Sequence, residues 1–245
     1  MSLLLWPAAI GIGIVLGLFG AGGGMITVPV LIYLADMPVK EAVAMSLWVV
    51  AIVSFVALLQ QRVWRNLQTR LLLTFGCTGV AGSVLGSLVA NYISGKVQVM
   101  LFALLIFSVT WWLSRVKLSD RVGVFRFIPA TVTGFIIGII TGVLGVGGGF
   151  LLVPALIYLG VRHFPTAVAH SLVLITLNAL AGGLTYLKTV DFSVSMALSF
   201  SVVAALGTAV GSYLLKSLPG AQLQRAFSIM LVVIGTFMMW RTVSS

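Results

Sequence analysis

The sequence predicts an all-α protein that crosses a membrane several times and consists of two related halves. Hydrophobic residues make up 60% of the chain and charged residues only 7%, with a mean hydropathy of +1.21, whereas an ordinary soluble domain carries about 25% charged residues. Apolar stretches near or above the ~18 residues needed to cross a bilayer recur from end to end. In addition, the second half of the chain repeats the first.

The repeat keeps one register over most of its length. A shift of 125 residues carries the glycine triplet 22–24 onto the triplet 147–149. The same shift aligns these pairs without a gap: Gly17 with Gly142, Gly20 with Gly145, Pro29 with Pro154, Ser46 with Ser171 and Gly86 with Gly211. Chance does not keep a register over such a length. The pattern indicates an internal duplication, which is frequent in secondary transporters.

Each half contains four apolar segments. They cover residues 3–34, 42–60, 71–93 and 97–113 in the first half and 127–159, 167–187, 192–215 and 222–240 in the second. We therefore divide the chain into a first membrane repeat at 1–113, a basic cytoplasmic linker at 114–126 and a second membrane repeat at 127–245. We expect neither repeat to fold alone.

The first segment of each repeat is too long for one straight span. A continuous helix over residues 3–34 would be ~48 Å long, against a hydrocarbon core of ~30 Å. The glycine triplet lies in the middle of the segment, and Pro29 or Pro154 follows shortly after. Glycine and proline both interrupt helices. The sequence therefore predicts that each repeat begins with a glycine-broken, re-entrant helix hairpin.

The hairpin decides how the two repeats are oriented. If it enters and leaves on one side, three crossings remain per repeat, and the repeats have inverted topology around a pseudo-twofold axis. If it crosses once, the repeats are parallel. Lys and Arg divide ten to four between the two sides in the inverted arrangement and nine to five in the parallel one, so the positive-inside rule does not separate them. The length of the first segment favours the inverted arrangement.

The two glycine triplets are the leading candidates for a substrate-binding site. An opened backbone inside a membrane leaves polar groups that protein, water or a ligand must satisfy. Half-helix N-termini after Gly24 and Gly149 would attract an anion through free amides and the helix dipole. The alternative is that the glycines only allow close helix packing. The candidate glycines are Gly22, Gly23, Gly24, Gly147, Gly148 and Gly149.

Four polar side chains within the apolar segments complete the candidate site. Ser46 and Ser171 occupy equivalent positions and either donate to the ligand or bond their own helix backbone. His170 is an ionisable group in an apolar segment, which indicates function unless it faces the interface. Asn178 lies in mid-segment and serves either the pathway or a bond between helices. The spacing of Gly82 with Gly86 and of Gly207 with Gly211 indicates helix packing instead.

The residue content argues against enzymatic, metal and nucleic-acid functions. The acids are Asp36, Glu41, Asp120 and Asp191, and all lie in loops or at segment ends. No group of His, Cys and acids has metal-ligand spacing, and no phosphate-binding motif is present, so we expect no metal and no cofactor. The net charge of +10 comes from basic residues in short loops, where they set topology and contact lipid headgroups rather than nucleic acid.

The pattern G-x-x-G-x-G-G-G-x-x-x-V-P-x-L-I-Y-L occurs at Gly17 to Leu34 and again at Gly142 to Leu159. With the four-segment plan and A-V-A-x-S-L after each hairpin, it resembles the TauE/SafE family of membrane permeases over almost the whole chain. The resemblance implies export of sulfite or short organosulfonates across the cytoplasmic membrane of a prokaryote. The residues alone indicate only a site suited to a small anion. A passive anion channel and a membrane-embedded sulfur enzyme or assembly factor remain alternatives, and the oligomeric state, including a homo-oligomer, stays open.

Overall fold

The computed structural model describes residues 5–19, 23–61, 68–115, 127–159, 161, 164–217 and 220–244. All regular secondary structure within these residues is helical, which confirms the all-α prediction. The helices are α1 (Leu5–Phe19), α2 (Gly23–Tyr33), α3 (Val39–Gln61), α4 (Thr69–Ala90), α5 (Gly95–Arg115), α6 (Phe127–Leu144), α7 (Gly149–Tyr158), α8 (Phe164–Tyr186), α9 (Val194–Ser217) and α10 (Gly220–Ser244).

Four of these helices have the length and composition of membrane spans. Among the described residues they are Val39–Gln60, Thr69–Ala90, Thr166–Tyr186 and Val194–Leu215. The faces of α4, α9 and α10 that point away from the protein carry large apolar side chains, which the bilayer would cover. Examples are Leu73, Val202, Leu206, Ile229 and Trp240. The fold is that of a polytopic membrane protein.

The leading segment of each half consists of two helices instead of one. In the second half α6 ends at Leu144, and α7 begins at Gly149. In the first half α1 ends at Phe19 and α2 begins at Gly23, one residue before the position equivalent to Gly149. Residues 20–22, including the candidate Gly22, lie outside the described part of the chain.

The prediction that the prolines help to interrupt the helices is wrong. Pro29 lies inside α2 and Pro154 lies inside α7. Proline removes only one backbone hydrogen bond from the helix that contains it, and apolar helices within a membrane protein tolerate this loss when neighbouring helices surround them. The interruption in the second half lies at the glycines alone.

Helices α3 and α8 cross at the centre of the protein and run antiparallel. The indole nitrogen of Trp48 donates to the carbonyl oxygen of Gly183 at 3.3 Å. Further along α3, the hydroxyl of Ser54 lies 2.9 Å from that of Thr176. From the first contact to the second, residue numbers rise along α3 and fall along α8, so the two helices run in opposite directions. Most of each helix is buried, so this pair forms the core that surrounding helices contact.

The first helix of each half packs closely on a long helix of the other half. Glycines of α4 and α9 lie directly against carbonyl oxygens of α6 and α1, leaving no space for a β-carbon. The glycines and the residues whose carbonyls they contact are Gly82 with Phe135, Gly86 with Ile139, Gly207 with Ile10 and Gly211 with Ile14. The predicted packing role of these glycines is confirmed. These contacts hold α6 closely against α4.

Candidate functional site

The chain between α6 and α7 forms a tight, buried turn that we call the second elbow, residues 145–148. Three of its residues have positive φ: Gly145 at +72°, Gly147 at +68° and Gly148 at +67°. A residue with a β-carbon is strained in this region by about 1–2 kcal/mol. The glycines are therefore required by the backbone path itself, in addition to any effect on packing.

The second elbow presents a row of free backbone amides. The first helical bonds of α7 run from the amides of Leu151 and Leu152 to the carbonyl of Gly148, each at 3.0 Å. Further toward α6 lie the amides of Val146, Gly147, Gly148 and Gly149, and none of the four donates to an acceptor among the described residues. All four residues are buried. Successive free amides at a helix N-terminus form a site for an anion, which the helix dipole also favours.

The carbonyl groups on the other side of the turn are satisfied by side chains from three helices. Gln98 Nε2 of α5 donates to Val143 O at 2.9 Å. Tyr186 Oη of α8 donates to Gly142 O at 3.2 Å, and Ser46 Oγ of α3 donates to Gly145 O at 2.5 Å. A helix end inside a membrane needs such partners for its carbonyl groups. These contacts satisfy the carbonyl groups of Gly142, Val143 and Gly145, whereas the amides from Val146 to Gly149 remain free.

The second elbow lies between the two central helices and touches the first half of the protein. A β-carbon on Gly147 would lie 2.6 Å from Val50 Cγ1 and 3.2 Å from Ile175 Cγ2. Gly24, near the start of α2, packs directly against the carbonyl oxygen of Val146. The glycine-rich segments of the two halves therefore meet beside α3 and α8.

The two predicted serines make equivalent bonds within their own helices. Ser46 Oγ donates to Val43 O at 2.8 Å and Ser171 Oγ donates to Val168 O at 2.7 Å. Both side chains are buried. Ser46 also reaches Gly145 O, so it belongs to the second elbow. A direct contact of either hydroxyl with a ligand stays a prediction.

His170 has a structural environment at the beginning of α8. Its Nδ1 lies 2.8 Å from Thr166 O, and its Nε2 accepts from the amide of Gln68 at 2.9 Å. These partners place the proton on Nδ1 because a carbonyl only accepts. The ring is buried, so it does not face the interface as the alternative proposed. It joins the start of α8 to the start of α4, and its role toward a ligand remains a prediction.

Asn178 is a buried amide without a partner. Its side chain is 0% exposed, and among the described residues neither Oδ1 nor Nδ2 has a hydrogen-bond partner. The amide lies against Gly79, where a β-carbon would be 2.7 Å from Oδ1. The bond between helices at this position involves the backbone instead, because Ser83 Oγ donates to Asn178 O at 2.7 Å. Both functional groups of the side chain therefore lack a partner in the described part of the chain.

Two residues in this region, Gln98 and Tyr186, were not among the candidates predicted from the sequence. Gln98 is the fourth residue of α5 and Tyr186 is the last residue of α8. Polar residues near helix ends usually lie at the membrane interface, so their type and position carry no signal. Only the three-dimensional contact with α6 reveals them. Among the described residues, no three His, Cys, Asp or Glu side chains lie close enough to hold a metal ion.

Comparisons with known proteins agree with this architecture. The family described as "Sulfite exporter TauE/SafE" matches residues 5–238. A probable membrane transporter protein of Methanocaldococcus jannaschii is 29% identical, covering 97% of this chain and 96% of its own. One from Xylella fastidiosa is 28% identical over 96% of this chain and 93% of its own. Probable membrane transporter protein YunE of Bacillus subtilis is 24% identical over 95% of both chains. No solved structure matches significantly.

Proposed function

Since this chain belongs to the TauE/SafE sulfite exporter family, we propose that it is a secondary transporter that exports a small anion, sulfite or a short organosulfonate, from the cytoplasm. Membership of the family and the names of the relatives make it a membrane transporter and not an enzyme. The substrate, the direction and the mechanism are our proposal. The relatives come from bacteria and an archaeon, and we place the protein in the cytoplasmic membrane of a prokaryote.

The observation that carries the proposal is the row of four free, buried amides from Val146 to Gly149. A buried amide without a partner costs several kcal/mol, and an anion supplies several acceptors at once. The acidic residues in the described part of the chain, Asp36, Glu41 and Asp191, lie at or beyond helix ends. No carboxylate therefore opposes an anion at the elbow. We assign the amides to the oxygen atoms of the substrate.

Asn178 supports the same assignment with a side chain. Its free Nδ2 group provides two donors, and the residue lies one helical turn beyond Ile175, which contacts Gly147. The amide is fully buried within a span of α8. An unpaired amide in such a place is costly, which makes a pathway residue more reasonable than a packing residue. We propose that Asn178 contacts the anion as it enters or leaves the elbow.

The packing supports inverted repeats. Helices α3 and α8 are equivalent under the shift of 125 residues, because Val50 is carried onto Ile175. Parallel repeats would run both helices in the same direction, whereas the contacts of Trp48 with Gly183 and of Ser54 with Thr176 run antiparallel. Inverted repeats around a central site are a common basis for alternating access.

The lengths of the helices support a re-entrant hairpin. Helix α7 has 10 residues and is about 15 Å long, half of the hydrocarbon thickness. Helix α6 has 18 residues and is about 27 Å long, so the two in one line would exceed the membrane. We propose that α7 turns back from the elbow toward the side from which α6 enters. The elbow then lies inside the membrane, where both halves of the protein reach it.

Efflux from proteoliposomes tests the proposal. Purified protein is reconstituted into vesicles loaded with sulfite, and efflux is compared with vesicles without protein. We expect protein-dependent efflux that saturates with substrate, and inhibition by short sulfonates. An absence of efflux for sulfite and every small sulfonate tested, with cations moving instead, overturns the proposal. Flux that never saturates would identify the passive anion channel, because alternating access has a limited turnover.

A further inference from the structure

The side chain of Gln98 offers an unoccupied acceptor next to the second elbow. Gln98 is 2% exposed, and Oε1 has no hydrogen bond to any residue that the structure describes. The orientation of the amide is fixed, because Nε2 donates to Val143 O at 2.9 Å and a carbonyl accepts but never donates. The free atom is therefore the oxygen. Tyr186 lies beside Gln98 and already donates its hydroxyl proton to Gly142 O.

The elbow region therefore combines free donors with a free acceptor. The donors are the backbone amides from Val146 to Gly149, and the acceptor is Gln98 Oε1. The Nε2 group of the same side chain donates to the carbonyl oxygen of Val143, three residues before Val146. Asn178 adds one free group of each kind. A bare oxyanion satisfies donors but not acceptors. Its oxygens would repel Oε1, since two acceptors without a proton between them do not attract each other.

Resting on the proposed function, we infer that the preferred substrate is a monoanion carrying its own hydrogen-bond donor, and that Gln98 selects it. Two chemical classes meet this description: hydrogensulfite, and short sulfonates with a hydroxyl group. The anionic oxygens bind the amides of the elbow, and the donor group of the substrate binds Gln98 Oε1. A fully ionised dianion leaves Oε1 buried and unpaired, which weakens its binding.

The two halves of the protein differ at this position. The residue equivalent to Gln98 under the 125-residue shift is Leu223, which is fully buried. The residue equivalent to Tyr186 is Gln61. The acceptor therefore exists in one half only, although the glycine triplets are identical. A substrate bound between the halves is held in one orientation, with its donor toward α5.

A pair of sulfonates of matched size tests the inference. In 2-hydroxyethanesulfonate and 1-propanesulfonate a hydroxyl replaces a methyl group, and both are monoanions. Binding is measured by thermal shift and by competition with sulfite efflux for wild type, Gln98→Leu and the control Gln222→Leu, whose side chain is exposed. We expect the wild type and the control to prefer the hydroxysulfonate by about tenfold or more, as for a buried hydrogen bond. Gln98→Leu should lose the preference and keep its affinity for 1-propanesulfonate.

Each other outcome has a definite meaning. Equal binding of the two sulfonates by the wild type overturns the inference and leaves the transport proposal standing, with Oε1 satisfied by water. A preference that survives in Gln98→Leu assigns selection to another residue and also overturns it. If the wild type neither binds nor transports any small anion, the proposed function fails. Should Gln98→Leu not fold, Gln98→Met keeps the unbranched chain and answers the same question.

Discussion

Val50 and Ile175 both lie next to the position that a β-carbon on Gly147 would take, and each stands at the middle of a 23-residue helix, α3 or α8. The 125-residue shift carries one of these residues onto the other. The second elbow therefore lies beside the midpoints of the two equivalent central helices, α3 and α8. A site here is about equally far from both ends of each helix, which suits a substrate that must be released to either side of a membrane.

The first prediction concerns the elbow glycines. Gly148→Ala should lower stability and transport strongly, because φ is +67° and the new β-carbon would meet Thr141 Oγ1. Gly23→Ala should be milder, because Gly23 has no positive φ, although its new β-carbon would press on the side chain of Leu16. Gly23→Leu and Gly148→Leu should both abolish transport while the protein still inserts. Melting temperature and sulfite efflux at matched expression measure the difference.

The control for this series is Gly11→Ala, because no atom lies within 4 Å of the added β-carbon. It should behave like the parent in both assays. If well-inserted Gly23→Leu and Gly148→Leu proteins bind and transport substrate normally, the elbows serve packing alone and the substrate site lies elsewhere.

The second prediction concerns Ser46. Ser46→Ala removes the donor to Gly145 O and should lower stability by about 1–3 kcal/mol, because a buried carbonyl loses its partner. It should also weaken substrate binding, since Gly145 begins the turn that carries the free amides. Ser199→Ala is a matched control, because that hydroxyl is exposed and bonds only its own helix. Similar losses for both variants would argue against a special role for Ser46.

The sequence predicted the helical architecture well, because its signals are local or periodic. Eight apolar segments, two of them broken, correspond to the ten described helices. The glycine triplet indicated the interruption between α6 and α7, since each glycine destabilises a helix by about 0.5–1 kcal/mol relative to alanine. The prediction from the prolines was wrong, because the effect of a proline depends on whether neighbouring helices compensate for the backbone hydrogen bond that it removes. That compensation is invisible in the sequence of one segment.

The site could be predicted only in part. The triplet marks the elbow, but Gln98 and Tyr186 reach α6 from helices distant in sequence. The predicted role of His170 rested on its being an ionisable residue in an apolar segment, whereas its partners are backbone groups of Thr166 and Gln68. Which polar residues face one another depends on helix rotation. The hydrophobicity of helices that are apolar on every side does not fix that rotation.

The third prediction separates a functional from a structural role of Asn178. Asn178→Val introduces the residue found at the equivalent position, Val53. It removes two unpaired buried atoms, so stability should stay equal or rise by about 1–3 kcal/mol. Transport should nevertheless fall sharply. Thermal unfolding and efflux are measured on the same preparation. Lower stability with normal transport would show that Asn178 is a packing residue.

The fourth prediction concerns His170. His170→Ala leaves the amide of Gln68 without its acceptor and removes the contact between the starts of α8 and α4. The melting temperature should therefore fall, while the substrate concentration for half-maximal efflux stays close to that of the parent. A large rise in that concentration, with unchanged stability, would instead place His170 in the substrate path.

The last prediction concerns topology. Inverted repeats place the C-terminus opposite the basic linker 114–126, on the outside of the cell, whereas parallel repeats place both in the cytoplasm. Cys77 is the sole cysteine, so a Cys77→Ser background allows single cysteines to be labelled in intact cells with a membrane-impermeant thiol reagent. Ser245→Cys should be labelled.

Asp36→Cys is outside and Ser119→Cys is inside in both arrangements, so they serve as positive and negative controls. We expect this labelling of Ser245→Cys because the equivalent helices α3 and α8 run antiparallel, which needs an even number of crossings between them and therefore favours the inverted arrangement. Protection of Ser245→Cys, with both controls behaving as expected, would exclude it.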